Sequence, residues 1–417
     1  MRYSTGRLRS ARMRLRAAAA AALAVSALAS AGCASNSSAA AEQTVDLSKL
    51  DTGSFTTKPT PITATDAVQA GRLAEALRLG NTMPLPMEID PALTHNDGGV
   101  NPFAHISDVL RPEMKGGHSA FGWLNEAAFT NDPAGFVAGF ATAARTDEDE
   151  SLGYRLTDVV MEFDNDGDAA AAAAAEAASG FLDVGFGTGE PAQSTAHPTA
   201  HLSWLPDDQY LATFYPTGKY LILTLVQNAE NFYAKISDLP DLIAKSDKAI
   251  DVTTDKLKSF QPTAPDKISS VPVDPQGLLR LTLPRPAGDK TAYAFDGVLD
   301  GHGALHTESD VVLARSLFDR DGVDAVTYGG GTLYRTRDAD AAKDFLKSNV
   351  NKFLHRIDSP PGLPGANCVK YHGPDVHAFP FTCSVAYGRY LATAWSQQQQ
   401  DVFQRISAQY AILANDK

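Results

Sequence analysis

Three cysteines carry the most specific chemistry in this sequence of 417 residues. Cys33 follows an arginine-rich lead and an uncharged run of 15 small, apolar residues at 17–31. Such a run has the length of a signal-peptide hydrophobic region and is too short to span the ~30 Å hydrocarbon core of a bilayer. Small residues directly before a cysteine suit a peptidase that cuts ahead of a lipid-modified Cys. The sequence therefore predicts a signal peptide at 1–32 and lipidation of Cys33, with palmitate among the acyl groups.

The residues before Cys33 resemble the bacterial lipobox, usually Leu-(Ala/Ser)-(Gly/Ala)-Cys. Ser30 stands where leucine is usual, and Leu28 lies two residues earlier. Ordinary secretory cleavage, with Cys33 incidental, is the alternative. We predict that the lipid on Cys33 holds the protein to the extracytoplasmic face of the cell membrane. The small, polar residues up to 44 would then form a flexible tether.

Cys368 and Cys383 remain as an even pair, which outside the cytoplasm favours a disulfide. Their midpoint falls in the turn signal Gly373-Pro374-Asp375, so the two cysteines would face each other across a hairpin. Closing a loop of this size contributes about 3 kcal/mol in the chain-entropy model. A redox-active pair is the weaker alternative because the chain has no CxxC motif and the predicted setting is a strand.

The charge of the chain argues against nucleic acid as a partner. The net charge is −13, and the segment removed at cleavage carries six arginines and no acid, which leaves the mature chain at −19. Such a field repels phosphate backbones and anionic lipid surfaces. Hydrophobic residues make up 44% of the chain, with 19 Phe, 13 Tyr and 3 Trp, so a substantial core can form. We expect two domains from the length.

The acidic stretch 162–168 resembles a calcium-binding loop. The position that should supply a bidentate carboxylate is alanine in either register, Ala173 or Ala175. We therefore interpret the stretch as a strand-to-helix turn in which Asp166 or Asp168 caps the helix.

Other candidate motifs also fail in their context. Glycines at 185–189 and 329–331 precede a loop and a strand, whereas a phosphate cradle needs a following helix. Two histidine pairs have i, i+4 spacing, His197/His201 and His302/His306, but neither lies in an HExxH motif. We predict no metal, no cofactor and no catalytic residue. A zinc site or a hydrolase triad assembled from distant residues stays open.

Periodicity and capping signals predict alternating helices and strands along the chain. The segments of the first half are a helix at 65–79, a helix from 133 to about 145, a strand at 152–163, a helix at 166–179, a hairpin at 201–215, a strand at 219–227 and mainly helix at 228–260. Those of the second half are strands at 278–283 and 292–298, a helix at 309–318, a strand at 332–336, a helix at 339–354, the cysteine hairpin, a strand at 389–396 and a closing helix at 397–413.

The second half repeats the first at a nearly constant offset. Gly218-Lys219-Tyr220-Leu221 matches Gly388-Arg389-Tyr390-Leu391, 170 residues on, and Pro206-Asp207 matches Pro374-Asp375, 168 residues on. Both halves continue through a strand into a helix. We predict an α+β fold of two related domains, each an antiparallel sheet with helices packed on one face. The predicted boundaries are 45–262 for the N-terminal domain, 263–277 for a proline-rich linker and 278–417 for the C-terminal domain with the disulfide.

Several stretches together resemble a family of two-domain lipoproteins of mycolic-acid-bearing actinobacteria, a domain of unknown function. They are Asp46-Leu47, Asp51-Thr52-Gly53, Ala70-Gly71-Arg72, Ala76-Leu77-Arg78, Glu88-Ile89-Asp90-Pro91, Gly135-Phe136-Val137-Ala138-Gly139-Phe140, Gly322-Val323-Asp324-Ala325-Val326 and Gln404-Arg405-Ile406. The resemblance implies an envelope lipoprotein without an assigned activity and supports lipidation of Cys33. It carries no catalytic residue over to this chain.

We therefore expect a non-enzymatic cell-envelope lipoprotein that binds a ligand or a protein partner outside the membrane, with a cleft between the two domains as the natural site. The alternative is an extracytoplasmic wall- or lipid-acting hydrolase with a dispersed site, for which a converging cluster of Ser, His and acid would be the sign.

Overall fold

Two antiparallel sheets form the frame of the protein. The computed structural model describes residues 45–98, 102–108, 132–179, 189–286, 295–348, 352–374 and 378–416. Within this part of the chain, Val45–Lys417 form one compact unit. The predicted signal peptide, Cys33 and the tether lie outside the described residues.

The first sheet has the strand order β1-β3-β4-β8-β7-β6-β5, with β2 paired to β3. Its strands are β1 (His95–Asn96), β2 (Pro102–Phe103), β3 (Phe136–Arg145), β4 (Tyr154–Phe163), β5 (Glu190–Ala192), β6 (His201–Leu205), β7 (Tyr210–Thr217) and β8 (Tyr220–Asn228). The helices of this half are α1 (Ala67–Thr82), α2 (Pro86–Ile89), α3 (Asp166–Ser179), α4 (Ala229–Ala234) and α5 (Leu239–Leu257), with 3-10 turns at Leu47–Lys49, Ile106–Asp108 and Pro265–Ser270.

The second sheet has the order β12-β13-β14-β15-β11-β10-β9. Its strands are β9 (Gly297–Asp300), β10 (Ala325–Tyr328), β11 (Thr332–Arg335), β12 (Leu354–Ile357), β13 (Asn367–Tyr371), β14 (Phe381–Tyr387) and β15 (Tyr390–Ser396). The helices are α6 (Gly301–Ala304), α7 (Val311–Asp321), α8 (Ala339–Lys347) and α9 (Gln399–Ala414), with 3-10 turns at Leu279–Leu281 and Leu305–Thr307.

The two sheets share one topology, as the sequence repeat predicts. The order β3-β4-β8-β7-β6-β5 corresponds strand for strand to β10-β11-β15-β14-β13-β12. In chain order, helix α3 follows β4 in the first domain and helix α8 follows β11 in the second. A longer helix comes after the last strand of each domain, α5 after β8 and α4, and α9 after β15. The repeated Gly218 and Gly388 occupy equivalent hairpin turns, with φ of +53° and +52°, a conformation that favours glycine. Two related α+β domains on antiparallel sheets are confirmed.

The prediction that helices pack on one face of each sheet is wrong in its detail. In the first sheet, Ala169 and Ala173 of α3 pack with Val159 and its neighbours on one face, and Leu242 of α5 packs with Leu156 on the other. Strand β3 is buried along almost its entire length. Strands that are apolar on both faces need cover on both faces.

The second sheet is also covered on both faces. Helix α9 buries Val402 and Ile406 against Ala392 and its neighbours. On the opposite face, Phe345 of α8 lies over Leu391. The same physical reason applies, since alternate residues of β15 point to the two faces.

Two local predictions are also wrong. The stretch 133–145, predicted as a helix, forms strand β3 between β1 and β4. Its small residues are compatible with a helix, but hydrogen bonding to the neighbouring strands β1 and β4 stabilises the extended conformation. The stretch 278–283, predicted as a strand, contains the 3-10 turn Leu279–Leu281, because Asp274 accepts hydrogen bonds from three successive backbone N–H groups at 278–280.

Cys368 and Cys383 form the predicted disulfide. They are direct partners on β13 and β14, with their Cα atoms 4.1 Å apart. Both are fully buried under α9. The bond therefore joins two neighbouring strands beneath the closing helix, whereas the turn residues 375–377 lie outside the described residues.

The stretch 45–60 precedes the N-terminal domain in the chain but packs on the C-terminal domain. Val45 and Leu50 join the core under α9, and Phe55 packs on Leu283, Ala408 and Ile412. The Asp51 carboxylate accepts hydrogen bonds from Gln400 and Gln404 of α9. The described chain thus begins on the C-terminal domain.

Candidate ligand-binding cleft

A cleft of about 570 Å³ lies where the two domains meet. Its walls are α1 of the N-terminal domain, the segment 263–276 and β9 of the C-terminal domain. The apolar lining residues are Ala74, Leu77, Val271, Pro272, Val273, Pro275 and Val298. The polar and charged lining residues are Arg78, Asn81, Thr263, Lys267, Ser270, Gln276 and Asp300.

Helix α1 is the wall shared by both domains. It starts at Asp66, whose side chain accepts hydrogen bonds from the N–H groups of Val68 and Gln69, as an N-cap does. Leu77 and Leu79 join one core with Phe140 of the first sheet and Leu299 of the second. A helix buried on opposite sides cannot shift without opening that core.

Glycines let α1 approach its neighbours closely. A Cβ atom at Gly71 would lie 1.8 Å from the Ile268 carbonyl oxygen, and one at Gly80 would lie 2.2 Å from the Phe140 ring. The sequence predicts that this helix ends at residue 79, but α1 continues through Gly80 to Thr82. Both glycines are required by close packing.

The predicted linker forms the second wall of the cleft. The 3-10 turn Pro265–Ser270 buries Ile268 against Ala76 and Val137. The residues after it, 271–276, contain the prolines that line the cleft. Because proline restricts the backbone, this stretch is suited to a fixed wall, and it is packed on α1 rather than freely spanning two domains.

A charged node anchors this wall to α1. The fully buried Glu75 accepts hydrogen bonds from the Thr263 backbone N–H at 2.7 Å and its hydroxyl at 2.8 Å. Arg78 donates to Glu75 and to the Thr263 hydroxyl, the latter at 2.7 Å. Charge-assisted bonds of this kind are the stronger ones in proteins. Because Arg78 and Thr263 also line the cleft, the node joins two of the cleft's walls.

Glu162 lies beneath this node and is fully buried. Burial and the neighbouring charge of Glu75 raise its pKa to about 8, against the opposing effect of Lys219, whose Nζ is 3.8 Å from Oε1. Among the described residues, neither carboxylate oxygen of Glu162 has a hydrogen-bond partner. The structure therefore favours the protonated acid at neutral pH.

A lysine gives the cleft its exposed cation. The Lys267 side chain is 68% exposed, and its Nζ is 3.3 Å from Asp266, a surface pairing that holds a side chain weakly. On the opposite wall, Asp300 caps α6 by accepting from Gly303 N at 2.7 Å, and its own N–H donates to Asn81. The cleft thus combines an apolar wall with a movable positive charge.

A second charged node holds the two domains together. Glu88 of α2 lies 3.2 Å from Lys256 of α5, 3.2 Å from His302 of α6 and 3.7 Å from Arg315 of α7. Burial by itself would raise the pKa of Glu88, but the hydrogen bond and charge of His302 and the charge of Lys256 lower it to about 2. The carboxylate bridges cations from both domains.

The two histidines of the predicted pair, His302 and His306, do lie together, with ring centroids 6.0 Å apart. His306 is buried with its Nδ1 2.9 Å from the Thr142 hydroxyl, and burial lowers its pKa to about 3. Across the described ranges, no group of three or more His, Cys, Asp or Glu side chains is arranged to hold a metal ion.

A serine, a histidine and two acids approach one another at another point. The Ser194 hydroxyl donates to Asp247 at 2.9 Å and accepts from the N–H groups of residues 196 and 197. His197 Nε2 is 3.2 Å from Asp251. Ser194 is only 3% exposed and its oxygen is engaged in closing the loop. The hydrolase hypothesis requires an accessible nucleophile, and this cluster buries its serine.

The remaining sequence motifs have structural roles. In the stretch 162–168, Asn165 rather than an aspartate accepts from the backbone at the start of α3, with Asp168 N as the donor at 3.0 Å. Gly329–Gly331 form the turn between β10 and β11. Gly185 and Gly187 lie outside the described residues. Within the described part of the chain, no helix has the length and apolar character needed to cross a membrane.

Both halves of the chain match one family. Residues 62–273 match the N-terminal domain, and 278–416 the C-terminal domain, of a family described as a domain of unknown function, DUF7373. The chain belongs to the DUF7373 family. No curated protein and no solved structure gives a significant match. In this DUF7373 chain, the cleft takes α1 and the 3-10 turn from the first matched region and β9 from the second.

Proposed function

We propose that this DUF7373 protein is a lipid-anchored envelope protein that binds a small amphipathic ligand in the cleft between its domains. The observation that carries the proposal is the cleft itself, about 570 Å³ with apolar and polar walls from both domains. Binding sites for small molecules commonly have this volume, lie between domains and combine apolar walls with a few polar groups.

The site is organised before a ligand arrives. Both domains share the core around α1, and Glu88 bridges cations of the two domains. A preorganised site spends less free energy on ordering at binding. We therefore expect binding with little domain movement.

The lining also indicates the chemistry of the ligand. Its apolar part would contact Leu77, Val273 and Val298, and its polar end would reach Lys267 at the mouth. A lysine ammonium favours an anionic or strongly polar group. Arg78 is committed to Glu75 and Thr263, so we assign it to the wall rather than to the ligand.

The setting that we propose is the envelope of a mycolic-acid-bearing actinobacterium. The signal-peptide pattern, the Ala31-Gly32 before Cys33 and the polar tether support lipid anchoring outside the cytoplasm. The resemblance of the sequence to two-domain lipoproteins of these bacteria supports the actinobacterial envelope. Lipid on Cys33 would keep the binding cleft close to the membrane, and a polar tether would let the folded body move relative to it.

Mass spectrometry of the protein purified from its native envelope tests the proposal. We expect a small molecule to co-purify with the wild-type protein and to be lost with Val273→Glu, which places a charge on the apolar wall. Val68→Glu is the matched control, because Val68 is 50% exposed on α1 and lies away from the cleft lining. A wild-type protein that carries no small molecule, or equal retention by both variants, would refute binding in this cleft.

A further inference from the structure

A second, separate groove lies in the C-terminal domain between α7, α8 and the sheet. It encloses about 350 Å³ and has Leu391 and Thr393 of β15 and Tyr334 of β11 in its floor. All of its lining residues come from the C-terminal domain, so the groove is distinct from the cleft between the domains. The cleft variants proposed above do not touch it.

One part of this groove is lined by apolar and aromatic side chains. Phe318 of α7 and Phe345 of α8 pack edge to face with ring centroids 6.1 Å apart, and the Tyr334 ring lies 5.2 Å from that of Phe345. Leu317 and Leu391 extend the apolar surface. Leu313 stands at the rim and is 51% exposed, so apolar surface continues from the interior to the solvent.

Polar groups are placed at defined points of the groove. Glu308 lies at one end, where the Tyr334 hydroxyl donates to it at 3.2 Å. The hydroxyls of Ser384 and Thr393 lie 2.9 Å apart in the floor. Asp310 adds a second carboxylate beside Glu308, although its side chain also caps α7 through Leu313 N. Among the described residues that line the groove, no lysine or arginine accompanies these acids.

This combination selects against an anionic ligand. A carboxylate entering the groove would meet Glu308 and Asp310 and would lose water without gaining a positive partner. An uncharged hydroxyl group has a smaller free-energy cost of dehydration than a carboxylate, and it could donate a hydrogen bond to Glu308. Burial raises the pKa of Glu308 to about 7, against the hydrogen bond from Tyr334, so the selection against an anionic ligand is strongest above that pH, where Glu308 is ionised.

We propose that the α7–α8 groove binds a single alkyl chain that ends in an uncharged hydroxyl group. The chain would lie against Phe318, Phe345 and Leu391, and the hydroxyl would bond to Glu308. Such a ligand has the chemistry of a fatty alcohol or of the uncharged end of a neutral lipid. This site is independent of the cleft and of the function proposed for it.

The test compares octanol with octanoate, which share an alkyl chain and differ in head group. Binding to the purified chain is measured by titration calorimetry at about pH 8.5, above the pKa of Glu308. We expect octanol to bind at least about tenfold more tightly than octanoate, a difference of about 1.4 kcal/mol. Equal binding of the two probes, or no binding of octanol, would overturn the proposal.

Two neighbouring substitutions locate the binding site. Leu313→Asp puts a carboxylate on the rim and should weaken octanol binding by about tenfold. Val312→Asp is the matched control, since Val312 is 48% exposed on the same turn of α7 but does not line the groove. Equal effects of the two substitutions would refute the assignment, and loss of octanol binding in Val273→Glu would place the site in the cleft instead.

Glu308→Gln tests the head-group interaction. The amide keeps a hydrogen-bonding group but removes the charge, so octanol should still bind while the preference over octanoate narrows. An unchanged preference in this variant would show that Glu308 does not set the selectivity and would refute its proposed role.

Discussion

Replacing Glu88 by glutamine should weaken the junction between the two domains. The pKa of Glu88 falls from 4.5 to about 2 in the folded protein, which corresponds to at most about 3.5 kcal/mol at about 1.4 kcal/mol per pKa unit. The Glu88 side chain is 20% exposed, and solvent screening reduces the expected effect to about 1–2 kcal/mol. The Glu88→Gln substitution would leave Lys256 and Arg315 without this carboxylate.

The direction of the Glu88 pKa shift determines how the stability lost in Glu88→Gln depends on pH. A carboxyl whose pKa is lowered on folding contributes its full stabilisation above the unfolded pKa and loses it as the pH falls through the folded pKa. The difference in unfolding free energy between wild type and Glu88→Gln should be full above about pH 4.5 and should disappear towards pH 2. Urea unfolding followed by circular dichroism, repeated over this range, measures it.

Asp255→Asn is the matched control for this experiment. Asp255 also pairs with a lysine, Lys258, but both side chains are largely exposed, at 76% and 73%. We expect its stability to change by less than about 0.5 kcal/mol. If Glu88→Gln loses no more stability than Asp255→Asn, or loses the same amount at every pH, the bridging role of Glu88 is refuted.

Three further predictions concern packing, the disulfide and a buried acid. Gly80→Ala should lower the unfolding free energy measured by urea titration by about 1–3 kcal/mol, because the new Cβ meets the Phe140 ring. Gly365→Ala is the control and should leave the unfolding free energy unchanged, since Gly365 has open space around it. Replacing Cys368 and Cys383 by alanine should cost about 3 kcal/mol, and a reductant should destabilise the wild type but leave this variant unchanged. Because the pKa of Glu162 is raised to about 8, its contribution is fully present below about pH 4.5 and is lost as the pH rises towards 8. Glu162→Gln should therefore gain stability over the wild type across that interval, and a constant difference would contradict the assignment.

Elements with strong local signals could be predicted from the sequence. The helix at Asp166–Ser179 has its predicted bounds, since alanine has the highest helix propensity and acidic residues favour the first turn of a helix. The strand Phe136–Arg145 was predicted as a helix, since its alternation is masked by apolar and small residues on both faces. Its identity as a strand depends on pairing with β1, β2 and β4, which lie elsewhere in the chain.

The candidate site also contains some residues that local sequence predicts and others that only the folded structure identifies. Ala74, Leu77, Arg78 and Asn81 recur at helical spacing on one face of α1, a signal that is present in the sequence but is typical of any amphipathic helix. In the sequence, Glu162 belongs to the calcium-like stretch 162–168, and nothing in that stretch predicts its burial near Glu75. Local spacing carries no information about a residue that approaches from a distant segment.

The sequence by itself determined the order of the elements in outline, the pairing of Cys368 with Cys383 and the internal repeat, because each depends on residues close together or on the comparison of one stretch with another. It also contains the whole basis for the predicted lipid anchor at Cys33. Only the tertiary structure decided that both sheets are covered on both faces, that α1 serves both domains and that the predicted linker forms one wall of the cleft. Those features arise from burial of apolar surface between distant segments, a driving force that acts without direction and is resolved only when the whole chain packs.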